Sequence, residues 1–191
     1  MPHQIKLRKN WPEKFVIPDT RSFEEVSRHF DKSFHALMAK ENRFPISEYF
    51  GEGVGLKSTQ DKVKNTFPLR EYDKDFQGIY LFFLNDEPIY TGISRVVLKR
   101  LQQHVKGSSH FTSSLCYKMG AHFYEETMGN KHTGGRKGLC FKTYSEPFKK
   151  RLRDFAEVAI LPIESPIELY IFESYVAVEA KTFFYNRFET H

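Results

Sequence analysis

Residues 78–104 read GIYLFFLNDEPIYTGISRVVLKRLQQH, and no other stretch of the chain narrows its fold as much. The run from Gly78 to Asn85 places Ile79, Leu81 and Phe83 toward one side and Tyr80, Phe82 and Leu84 toward the other. Apolar residues on both faces predict a buried strand. Asn85-Asp86-Glu87-Pro88 is turn chemistry, and Ile89 to Ile93 predicts a second, antiparallel strand. Ser94 is a good N-cap for a helix over Arg95–Val105, whose apolar stripe is Leu98, Leu101 and Val105. Arg100 and His104 stand one helical turn apart and share a face of it.

This stretch resembles the GIY-YIG nuclease family. The first signature is Gly78-Ile79-Tyr80; the second is Tyr90-Thr91-Gly92, with Thr where Ile or Val is usual, followed by Ile93-Ser94. The family's helix arginine falls on Arg100 and its frequent histidine on His104. Two tyrosine-bearing tripeptides with a strand-turn-strand-helix pattern and an arginine in register form a specific signal, where one tripeptide would not.

Length and charge set the frame. At 191 residues the chain suits one sizeable core. We read 76–191 as the nuclease domain with a basic insertion at about 105–155, and 1–75 as an N-terminal elaboration of the same globule. Two cysteines, Cys116 and Cys140, are too few for a disulfide framework and point to a reducing compartment. The N-terminus shows no apolar leader, and no stretch is apolar enough to span a membrane, so the expectation is a soluble, cytoplasmic protein. Residues 95–153 hold thirteen Lys and Arg against three acids, in a chain whose net charge is only +5. That asymmetry is the footprint of a protein that grips a polyanion. The cations assigned to phosphates are Lys99, Lys106, Lys131, Arg136, Lys137, Lys149, Lys150, Arg151 and Arg153.

Taken in order, residues 1–20 are basic and punctuated by proline, and predict irregular or strand-like chain. Ser22-Phe23-Glu24-Glu25 is a capping box opening a helix to about Lys40, with Phe23, Val26, Phe30, Phe34 and Leu37 on its stripe. Residues 41–75 look loop-rich, and Gly51-x-Gly53 lacks the strand and third glycine of a dinucleotide site. Ser108–Met119 predicts a short helix, and Gly129–Gly138 a flexible basic loop without the Lys-Ser/Thr of a P-loop. Cys116, His122, His132 and Cys140 match no zinc spacing. A helix over Ser145–Phe155 is expected to expose Lys149, Lys150, Arg151 and Arg153. Glu157–Ile163 predicts a third strand, with Pro162 marking its end or an edge position. Ser165-Pro166-Ile167-Glu168 opens a helix to about Lys181 that is apolar nearly all round, hence interior, with Glu173 isolated in its middle.

The resemblance supplies the remaining roles. It makes Glu173 the ligand of one Mg²⁺ or Mn²⁺, with Glu179 as a competitor too close to Asn186, the family's closing asparagine. Tyr80 is the expected base that takes a proton from water, Tyr90 and His104 position or relay, and Arg100 offers a planar fork to a phosphate. Gly78, Gly92, Ser94 and Asn186 support the site. Bringing a tyrosine near neutrality requires lowering its pKa by about three units, roughly 4 kcal/mol, which is expected from Arg100 and a hydrated metal. The implied fold is α/β (α+β): a small three-stranded antiparallel sheet flanked by helices, with the site on the face nearest Arg100 and Glu173. The implied function is a metal-dependent DNA endonuclease of restriction or defence type. Two alternatives stand beside it: a repair or structure-specific nuclease cutting flaps, junctions or single strands, and a non-catalytic nucleic-acid-binding protein. The partner is DNA, with RNA the other candidate; a symmetric duplex cutter would act as a homodimer.

Overall fold

The apolar runs at 78–84 and 157–162 become the two central strands of an antiparallel sheet, because only central strands bury both faces. The computed structural model describes residues 21–66 and 75–186. The expectations for residues 1–20 and for the lead-in at 67–70 lie outside them. The sheet has four strands in the order β1-β4-β2-β3: β1 (Arg43–Pro45), β2 (Gly78–Leu84), β3 (Glu87–Ser94) and β4 (Glu157–Pro162). The expected three strands are therefore joined by a fourth, three-residue edge strand that pairs Phe44 with Val158.

The β2–β3 turn is tighter than expected. Asn85 and Asp86 adopt φ of 55° and 66°, the left-handed pair of a two-residue hairpin loop, and Leu84 already pairs with Glu87. A register shift between Phe82 and Phe83 sets Phe83 opposite Pro88, so the proline sits at a bulge on an edge strand, where its missing N–H is tolerated.

Helices cover both faces. Around Tyr80, Phe82 and Val158 pack α3 (Ile46–Phe50), α4 (Leu56–Thr66), α5 (Val97–Lys106), α6 (Ser114–Met128) and α8 (Glu146–Phe155). Against Ile79, Leu81, Phe83 and Ala159 pack α1 (Phe23–Ser27), α2 (Phe30–Met38) and α9 (Pro166–Glu179). Between α6 and α8 lie the single turn α7 (Gly135–Gly138) and a π-helical turn, Phe141–Ser145. No helix among the described residues is long and apolar enough to cross a membrane.

Several expectations are corrected. The Ser22–Glu25 capping box forms, with Glu25 N–H donating to Ser22 Oγ at 3.2 Å, yet the helix breaks at Arg28-His29, where neither Gly nor Pro marks it, and Phe23 stays exposed. The loop-rich reading of 41–75 misses β1, α3 and α4; Phe44, Ile46, Tyr49, Phe50 and Val63 from this segment are core residues. Helix α6 begins at Ser114 and runs well beyond Met119, to Met128. Helix α5 starts at Val97, and Ser94 ends β3, its Oγ accepting the Val96 N–H at 3.0 Å. The helix cap comes instead from Asp75, whose two carboxylate oxygens accept the Leu98 and Lys99 N–H groups at 2.8 Å each. Helix α9 is not wholly interior: Tyr170 and Val178 are 64% and 65% exposed.

Candidate active site at the edge of the sheet

Tyr80 and Gly92 are cross-strand partners, and their geometry explains both residue types. The Tyr80 ring packs against Gly92, where a Cβ would stand 2.4 Å from Tyr80 Oη. Gly78 is required for a different reason: a Cβ there would meet the Leu161 carbonyl of β4 at 2.4 Å. The two strands and α5 thus hold Tyr80 in a closed seat, 1% exposed, with its hydroxyl 2.9 Å from His104 Nε2. Tyr90, two residues before Gly92, is half-buried, and its ring centroid lies 6.3 Å from that of Tyr80 and 5.6 Å from that of His104.

Arg100 is fixed from three sides. Its Nη1 donates to Thr112 O at 3.0 Å and Gln103 Oε1 at 3.3 Å, and its Nη2 to Ser114 Oγ at 2.6 Å. Its charge reaches Tyr80, Tyr90 and His104. Arg100 and Glu173 come from opposite layers, correcting the expectation of one sheet face shared by both. Helix α9 packs along the edge strand β3, and from there the Glu173 carboxylate acts on both phenols.

Asn186 secures this edge. Its Oδ1 accepts the Thr91 N–H at 3.0 Å and its Nδ2 donates to Thr91 O at 2.6 Å, so one side-chain amide replaces a further strand. Thr91 itself shares a 2.9 Å hydrogen bond with the buried Thr182 hydroxyl.

The protein's own groups, without an ion, set the following shifts. Burial, joined by Tyr90, pushes the Tyr80 phenol well above its ordinary range, and Arg100 opposes this without overcoming it. The Tyr90 phenol is raised too, chiefly by burial. Burial, followed by Arg100 and Lys118, drives His104 well below the usual imidazole range, so it is neutral, and its Nδ1 is buried without a partner among the described residues. Burial pushes Glu173 up to about 7, against the pull of Lys118.

A divalent ion is implied by the resemblance, and the donor chemistry fits it. Among the described residues no three His, Cys, Asp or Glu gather into a cage. Glu173 is a hard oxygen donor, half-buried, making no hydrogen bond or ion pair there, and its desolvation is the penalty a cation relieves. One carboxylate, with water and phosphate oxygens, is an ordinary Mg²⁺ environment.

The basic section divides. Lys118, Lys131 and Arg136 line a cleft of about 520 Å³ with Tyr117, Phe184 and Tyr185. Lys99 and Lys137 are exposed elsewhere. Lys150 and Arg151 line a separate hollow beside Leu84 and Asn85, at the hairpin end of the sheet. Three assigned cations are otherwise engaged. Lys149 is only 7% exposed, donating to Gly107 O at 3.2 Å and pairing with Glu146 at 2.8 Å. Lys106 donates to Val54 O, and Arg153 is half-buried against Asp154 and Glu52.

Lys118 is the site residue that sequence reasoning missed. Its Nζ lies 5.6 Å over the Tyr90 ring, donates to Tyr185 O at 2.5 Å, and its charge acts on both His104 and Glu173. Nothing local distinguishes it from the other cations of its stretch. Comparison with protein-family models, with curated proteins and with solved structures gives no match to this chain.

Proposed function

We propose that this chain is a metal-dependent DNA endonuclease of the GIY-YIG type that hydrolyses phosphodiester bonds at the β3 edge. One observation carries the reading. Tyr80, Tyr90, Arg100, His104 and Glu173, drawn from two strands and two helices on opposite layers, act electrostatically on one another, with the Tyr80–His104 hydrogen bond at the centre.

The chain's own groups then divide the work. Arg100, already oriented by Thr112, Gln103 and Ser114, neutralises a non-bridging phosphate oxygen. Tyr90 and Lys118 line the way to that phosphate and orient the attacking water. Tyr80 Oη takes the water's proton by relay through the outer Tyr90 while passing its own to neutral His104 Nε2. The imidazolium, which burial, Arg100 and Lys118 disfavour, gives a proton back along the same chain to the departing 3′ oxygen, so neither a buried phenolate nor a buried imidazolium accumulates. The water oxygen forms the new bond to phosphorus as the bond to the 3′ oxygen breaks. Glu173 would hold the ion, which supplies Lewis-acid charge at the phosphate and the departing oxygen.

Incubating the protein with plasmid and Mg²⁺ tests this. Discrete or general cleavage that is lost in Tyr80→Phe and Glu173→Gln supports the reading. Intact plasmid and intact single strands, with DNA still bound, would leave a binding protein in its place.

A further inference from the structure

The cleft beside Tyr90 is larger and more aromatic than a phosphate requires. Its volume of about 520 Å³ suits a ligand of some tens of atoms. Phe184 is half-exposed, and its ring is held edge-to-face by His122 at 4.6 Å and Tyr185 at 4.8 Å between centroids. In the same lining, the Arg136 guanidinium lies 5.6 Å from the Tyr117 ring centroid, and Lys131 is exposed. Lys118 joins the cleft to the reaction site through Tyr90. One acid, Glu125, is present against these three cations.

Aromatic rings beside cations are how proteins hold unpaired nucleotides, because every base has a π-face and every linkage a charge. A base inside a duplex already has both faces stacked and cannot enter. We propose that this cleft receives an unpaired nucleobase next to the scissile phosphate, so that the preferred substrate carries a single-stranded or extruded nucleotide. The inference rests on the nuclease reading only for the word scissile; the cleft's affinity for an unpaired base stands independently. An acidic peptide would use the cations but leave the rings idle.

The test is binding in EDTA, followed by anisotropy of a labelled short single strand, the same strand made abasic, and a blunt duplex. The unmodified single strand should bind about 10-fold more tightly than the abasic one. Phe184→Ala should erase most of that difference, and its exposed position leaves folding intact, checked by circular dichroism. Duplex affinity should not respond to Phe184→Ala. Equal affinity for normal and abasic strands, or displacement of the strand by polyglutamate as readily as by unlabelled strand, overturns the inference. Plasmid cleavage is scored separately. A protein that cuts but ignores bases keeps the nuclease reading and loses the cleft, while one that discriminates bases but never cuts does the reverse.

Discussion

Tyr80 Oη and His104 Nε2 lie 2.9 Å apart, and neither side chain is open to solvent. The pair links the β2 phenol to a neutral imidazole, and on the proposed mechanism that link carries the proton taken from water. Tyr80→Phe keeps the ring packing and should lower cleavage by ~10² or more. His104→Phe should do likewise, whereas Tyr90→Phe should cost less. Single-turnover rates check this, and a larger loss in Tyr90→Phe would move the proton acceptor to the outer tyrosine.

Gly92→Ala is expected to act on Tyr80 rather than on strand pairing. The added methyl falls 2.4 Å from the hydroxyl and 2.5 Å from the ring carbon bearing it, so the ring must leave its seat. The overpacking should cost about 1–3 kcal/mol in urea unfolding and nearly all activity. Retained cleavage in a folded Gly92→Ala protein would show that Tyr80 does not act from this position.

The Glu173 carboxyl titrates near 7 in the fold against 4.5 unfolded, so the folded state binds the extra proton between those values. Stability should be greatest below about 4.5 on this account, fall as pH rises through the window, and level off above 7. Discounted for partial exposure, the loss is about 1–2 kcal/mol. Glu173→Gln should remove it, making the metal-free variant more stable than the parent at pH 8. Mg²⁺ affinity of the parent should rise through the same window, since the ion needs the ionised form. Parallel melting curves against pH for the two proteins would expose a flat difference, which would dissociate Glu173 from both effects.

Asn186→Ala strands the Thr91 N–H and C=O together at a buried edge and should cost about 2 kcal/mol. Thr91→Val and Thr182→Val should each destabilise alone by leaving one hydroxyl unpaired, while the double variant should be close to the parent. A double-mutant cycle by chemical denaturation measures the coupling, expected at about 1 kcal/mol.

The cations should not contribute alike. Lys131→Glu and Arg136→Glu, at the cleft, should weaken DNA binding and flatten its salt dependence more than Lys150→Glu and Arg151→Glu at the hairpin end. Lys149→Glu should destabilise the fold instead, setting a carboxylate against Glu146 and the Gly107 carbonyl. A larger effect of Lys150→Glu and Arg151→Glu would place the nucleic acid along α8 rather than across the cleft, and equal effects would remove the cleft's priority.

Much of this protein is written locally. The hairpin and α5 follow from apolar residues on alternate positions, a left-handed Asn-Asp turn and a helical stripe within one continuous stretch, which also carries Tyr80 to His104. The caps at Ser22 and Ser165 are equally local, since the accepting oxygen lies three residues from the donated N–H. Other features exist only once distant segments meet. Three residues are too few for a periodicity, so β1 appears only through its pairing with β4. The α5 cap belongs to Asp75, which lies outside the helix and precedes β2. An all-apolar helix carries no amphipathic stripe, so only the folded packing, which buries Leu169, Phe172 and Val176, tells that Tyr170 and Val178 lie outside. Lys118 and Lys149 look alike in sequence, yet packing sets one beside Tyr90 and spends the other on a loop carbonyl and Glu146. The direction of the Tyr80 shift likewise belongs to the folded state, because desolvation depends on what surrounds the phenol, and here it outweighs a nearby arginine.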